Sequence, residues 1–224
     1  MPQKDCQGEW LENTPVNVAN TSAAAYYFAR YIPVSYTHLD VYKRQIDNWT
    51  GPEIDKKAII RVSLLHDMGN IVKIPEDFSK DQEFLKIRKK YFDKYGTNDH
   101  EINLEIGKQE GLTRQELTIL DGKRSRKNEE TLKSNSYERK ICAYCDQRVA
   151  PDGVVSIKER LENAKVRYKN KPLSVWSNEE KANHLIECSL GIEKQIIKYC
   201  KLKPKDINDF SIKEYIEKLK TYNI

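Results

Sequence analysis

Histidine and aspartate stand side by side at the end of an apolar run, in Leu64-Leu65-His66-Asp67-Met68-Gly69-Asn70, and bring an imidazole nitrogen and a carboxylate to one place. Such a pair can hold a divalent cation, the nitrogen suiting borderline metals and the oxygens harder ones. The plain alternative is a capping aspartate beside a satisfied core histidine. A second carboxylate, Asp146, lies next to an apolar stripe of Tyr137, Ile141, Tyr144 and Cys145, just before the break at Pro151-Asp152-Gly153. Burying an isolated charge is expensive, so Asp146 must be solvated, paired or bound to a metal. Cys142-Ala143-Tyr144-Cys145 has C-x-x-C spacing, but no second such pair exists and its neighbours read as a buried helix. Core packing is therefore expected over a zinc or redox role.

These residues need helices to position them. Pro52 and Asp55 suit a helix start, and Ile54, Ala58, Ile59, Val62, Leu64 and Leu65 build a broad buried face that ends at His66-Asp67, where Gly69 lets the backbone turn sharply. Residues 71–75 read as an extended connection. Further helices are expected over 79–95, with Phe84, Ile87, Tyr91, Phe92 and Tyr95 inward, and from Asn98-Asp99 to a stop at Gly111. Thr113 and Glu116 give a capping box for a short helix ending near Gly122. Residues 123–127 read as a solvated basic turn; without interleaved aromatics they are a weak nucleic-acid signal. Helices follow over 134–149, from the Ser156 and Glu159 cap to about Lys169, from about Asn178 to Cys200, and over 207–221. There is no internal repeat and no strong strand alternation, so the expected fold class is all-α.

The 224 residues suffice for a sizeable core, and 33% charged against 38% hydrophobic residues describes a water-compatible, helix-leaning chain. With 39 basic and 34 acidic residues the net charge is +5, so attraction to polyanions would be local. No apolar run approaches the ~18 residues of a membrane span, and no basic region precedes an apolar core at the N-terminus, so no membrane association and a cytoplasmic location are expected. The five cysteines, Cys6, Cys142, Cys145, Cys188 and Cys200, do not read as a disulfide framework.

Taken in order, Leu64–Asn70, the stretch Asn98-Asp99-His100-Glu101, and Tyr144-Cys145-Asp146-Gln147-Arg148-Val149-Ala150-Pro151 followed by Gly153-Val154-Val155-Ser156 resemble the HD-domain metal-dependent phosphohydrolases. That family's signature is an upstream His, a His-Asp pair and a distant Asp. The resemblance covers about half the chain, near residues 47–160. It implies a helical bundle around a divalent metal (Mn, Mg, Fe, Ni, Co or Zn), which activates water against a phosphate ester or anhydride such as that of a nucleotide. His66 and Asp67 would be ligands and catalytic residues, and Asp146 would complete the set. His100 stands where some members carry an extra His, as a ligand or substrate contact, or is simply a helix-start surface residue. Arg148 would either reach a phosphate or brace Asp146. His184 is expected to be structural.

The upstream ligand is the departure from the family pattern. His38 is the candidate, yet it lies in residues 33–45, Pro-Val-Ser-Tyr-Thr-His-Leu-Asp-Val-Tyr-Lys-Arg-Gln, which lack a clear helical apolar stripe. That string resembles one recurring in unrelated metagenome-derived reading frames, a translated library artefact; the alternative is an ordinary exposed loop. The expected organisation is an atypical segment 1–45, an HD-like helical domain 46–170 and C-terminal helices 171–224 packing on it. The alternative function is a catalytically degenerate module that binds a nucleotide or a protein without turnover.

Overall fold

The computed structural model describes residues 41–74, 82–150, 153–171 and 174–211. The expectations for residues 1–40, His38 and Cys6 among them, and for the last helix beyond residue 211 lie outside these. Of the described residues 72% are helical, and the one sheet among them has two strands, so the fold class is all-α.

Local capping sets most helix starts. Asp55 accepts a hydrogen bond from the Ala58 N–H (2.9 Å) and begins α1, Lys56–Leu65. Helix α2 covers Gln82–Tyr95. The Asn98 side chain accepts from the His100 N–H (3.2 Å) and opens α3, Asp99–Gln109, which ends where Gly111 takes a φ of +74°. The reciprocal Thr113 and Glu116 capping box starts α4, Arg114–Gly122. A short helix that patterning does not reveal, α5 (Asn128–Lys133), precedes α6, Tyr137–Asp146, which Ser136 caps. Ser156 and Asn178 cap α7, Ile157–Tyr168, and α8, Glu179–Ile197.

Three expectations change. Residues 71–73 are not extended but belong to a 3₁₀ turn, Met68–Lys73, with the Asn70 N–H on the Asp67 carbonyl (2.9 Å). The turn carries Ile71 and Val72 into a small apolar cluster with Phe84, Ile102 and Ile106. Leu64 does not join the buried face: α1 turns Ala58, Ile59 and Val62 inward and leaves Leu64 45% exposed. After α6, β1 (Val149–Ala150) pairs antiparallel with β2 (Gly153–Val154), two strands too short to show alternation in sequence.

The main core joins α1, α4, α6, α7 and α8 through Ile59, Val62, Leu120, Ile141, Leu161, Ala182 and Ile192, all nearly inaccessible. It also takes in the described end of the string at 33–45. Residues 41–47 are helical, and Val41, Tyr42, Gln45 and Ile46 share one buried face. For these residues an exposed loop is excluded: their spacing is helical, and the apolar companions come from α6 and the rest of the core. Arg148, buried after α6, fastens the C-terminal segment by donating to the Pro204 (3.1 Å) and Ile207 (2.8 Å) carbonyls.

Candidate metal centre

The end of α1 delivers His66 and Asp67, and the end of α6 delivers Asp146. The two helices pack against each other, so their C-terminal ends meet. His66 is 3% exposed. Its Nδ1 lies 2.6 Å from the Ser63 carbonyl, one turn back on α1. A carbonyl can only accept, so Nδ1 carries the proton and donates it, and the metal-binding lone pair of a neutral imidazole falls on Nε2. Nε2 is 3.2 Å from Asp67 Oδ2 and 3.3 Å from Asp146 Oδ1. One donor atom from each of the three residues lies within 4.8 Å of the others. An oriented imidazole with two converging carboxylates is a donor set that a divalent ion fits, and the Ser63 carbonyl is the partner that typically fixes such a histidine.

The electrostatics agree with a cluster of opposite charges. Burial pushes the His66 imidazole down, but the neighbouring Asp67 and the hydrogen bonds to both carboxylates outweigh it, and its pKa rises to about 9. Burial would raise Asp146, yet the Lys123 ammonium and His66 hold it down at about 2. Tyr42, in the segment before α1, sets its ring edge-on to His66 with centroids 6.2 Å apart, and its hydroxyl donates to the Cys142 carbonyl (3.0 Å).

Lys123 is the residue that sequence reasoning missed. Read as part of a solvated turn, it is 11% exposed and sits in the centre: its ammonium donates to the His66 carbonyl and to Asp67 Oδ1 (3.0 Å). The signal was its spacing, one turn beyond the buried Ile119 and Leu120 on α4. Only residues 125–127 of that stretch form the following 3₁₀ turn.

The other expected site residues separate. His100 is buried near the start of α3, not a surface residue, and its Nε2 meets Asp121 Oδ1 at 2.8 Å. Arg124 and Lys127 also bind the Asp121 carboxylate, Lys127 at 3.2 Å. His100 is thus attached to an ion-pair cluster alongside the centre. Arg148 neither braces Asp146 nor faces it. Its guanidinium donates to the Val155 carbonyl (2.6 Å), the Tyr144 hydroxyl (2.8 Å) and the two C-terminal carbonyls. His184 lies on the surface of α8, 3.2 Å from Glu129. Cys142 and Cys145 are fully buried in the main core, and burial pushes both thiols well up, as packing groups require.

Gly69 follows Asp67 closely and is buried. It is not among the described glycines with positive φ, so its role is not a sharp turn. A Cβ there would stand 2.2 Å from the Asp99 carbonyl oxygen. Glycine lets the 3₁₀ turn touch α3, with the Gly69 N–H donating to Asn103 Oδ1 (2.6 Å).

No protein-family model matches the chain, and neither the curated proteins nor the solved structures contain a match to it.

Proposed function

We propose that the chain is a metal-dependent phosphohydrolase of the HD kind, acting on a small phosphate ester or anhydride such as a nucleotide. The observation that carries the reading is the convergence of His66 Nε2 with carboxylate oxygens of Asp67 and Asp146 from two helix ends, the imidazole already oriented by Ser63. These three residues would hold the ion. When bound, a divalent ion lowers the pKa of water toward neutrality and polarises a phosphoryl oxygen. His66 presents Nε2; Asp146 supplies a carboxylate that Lys123 and His66 keep ionised; Asp67 can accept a proton from an attacking water. Lys123 holds against Asp67 a positive charge that would attract a phosphate to the three residues.

The experiment is metal content and hydrolysis of a panel of nucleotides and simple phosphate esters by the parent, His66→Ala and Asp146→Ala. Metal and activity in the parent, lost in both variants, is the expected result. A metal-free parent, or equal activity in all three, refutes it. A second reading, a degenerate module that binds without turnover, is favoured by Tyr42. Its segment offers His66 a ring, and the hydroxyl is committed to Cys142. Metal retention with no hydrolysis across the panel supports that reading.

A further inference from the structure

The two oxygens of Asp67 face different cationic groups. Oδ2 lies 3.2 Å from His66 Nε2, on the side of the ligand cluster, and Oδ1 lies 3.0 Å from the Lys123 ammonium. The same ammonium donates to the main-chain oxygen of His66. A carboxylate oxygen and a backbone carbonyl oxygen form the kind of oxygen-lined position in which a hard divalent cation sits, and a carboxylate can bridge two such ions. Here that position is filled by a buried lysine anchored on α4.

The surrounding charges leave little to hold another ion. Asp99 pairs with Lys73 at 2.6 Å, and Asp121 is engaged by His100, Arg124 and Lys127. One dication balances Asp67 and Asp146, and the lysine already supplies positive charge beyond that balance. A second dication would find the carboxylates of Asp99 and Asp121 already paired and would stand against the Lys123 ammonium, which is 11% exposed. From this geometry we infer, on the metal-centre reading proposed above, that Lys123 takes the place of a second metal ion. The centre binds a single divalent cation, and the lysine is its fixed second positive charge.

The test uses the parent, Lys123→Gln and Lys123→Arg, each checked for native melting and titrated with Mn²⁺. Bound metal per chain and affinity are read by elemental analysis and by Mn²⁺ electron paramagnetic resonance. The parent and Lys123→Arg should bind one ion. Lys123→Gln, relieved of a unit positive charge, should either admit a second ion or bind the first about tenfold or more tightly. Two ions in the parent overturn the inference without any variant. So does a Lys123→Gln protein that binds one ion with unchanged or weaker affinity. A parent that binds no ion removes the metal-centre reading itself, an outcome distinct from either of these.

Discussion

Gly69→Ala tests whether close approach, and not turn formation, places the glycine after the His-Asp pair. The added methyl carbon would lie 2.2 Å from the Asp99 carbonyl oxygen and 3.1 Å from Asn103 Oδ1. The first of these is a backbone atom in the first turn of a helix, so no side chain can swing away. The 3₁₀ turn Met68–Lys73 must retreat from α3 by roughly 1 Å to restore an ordinary contact, which costs about 1–3 kcal/mol as overpacking does elsewhere. Retreat also stretches the 2.6 Å bond from the Gly69 N–H to Asn103, worth about 1 kcal/mol. The sum, roughly 2–4 kcal/mol, corresponds to a fall in Tm of about 4–16 °C for a chain of this size. Thermal and urea unfolding followed by circular dichroism would measure it. Gly96→Ala is the control: φ is +82° with nothing within 4 Å of the added carbon, so it should show only backbone strain of about 1–2 kcal/mol. A Gly69→Ala protein melting within about 2 °C of the parent would refute the close-approach reasoning.

Arg148→Met should destabilise by about 3 kcal/mol or more in urea unfolding, because it strips the donor from the buried Ile207 carbonyl and from the half-buried carbonyls of residues 155 and 204, while metal content stays at the parent level. Iodoacetamide at pH 8 should spare Cys142 and Cys145 in the native protein and label both after denaturation, read by mass spectrometry, since burial keeps these thiols protonated. For His100, burial lowers the pKa against the partial support of the Asp121 hydrogen bond, and Arg124 and Lys123 add to the lowering. The unfolded chain therefore binds more protons than the folded one between the lowered value and about 6.5. The His100 contribution is fully present above that pH and is lost as pH falls below it. Asp121, also lowered, loses its contribution only below the ordinary carboxylate range. A Tm profile of the parent against His100→Gln between pH 4.5 and 8 should show the parent's advantage shrinking with acidification. An advantage constant over the whole range would contradict it.

Caps were legible in the sequence because their physics is local. Asp55, Asn98, Thr113 with Glu116, Ser156 and Asn178 each bond an N–H within the next three residues, and each opens a helix as expected. The residue types of the centre were legible too, since His66-Asp67 and Asp146 sit at the ends of apolar stripes. What escaped depends on tertiary placement. Lys123 looks like one more basic residue in a polar stretch until α4 lays it across the end of α1. Arg148 follows Asp146 closely but points away, because the Val155 carbonyl just after β2 and the carbonyls of residues 204 and 207 take its donors. Leu64 carries an apolar side chain that only the facing of α1 could assign to solvent.

Tyr42 bears on where this protein can be cut. Its ring is wholly buried, bonded to the Cys142 carbonyl and set against His66, and Val41 beside it is equally inaccessible. Removing both exposes apolar surface worth roughly 3–6 kcal/mol, a large share of what holds an ordinary domain together. A fragment beginning at residue 46, where the coherent pattern starts on paper, would open a hole over α6 and uncover the histidine. The cooperative unit therefore includes residues 41 and 42, whatever the history of the letters that encode them.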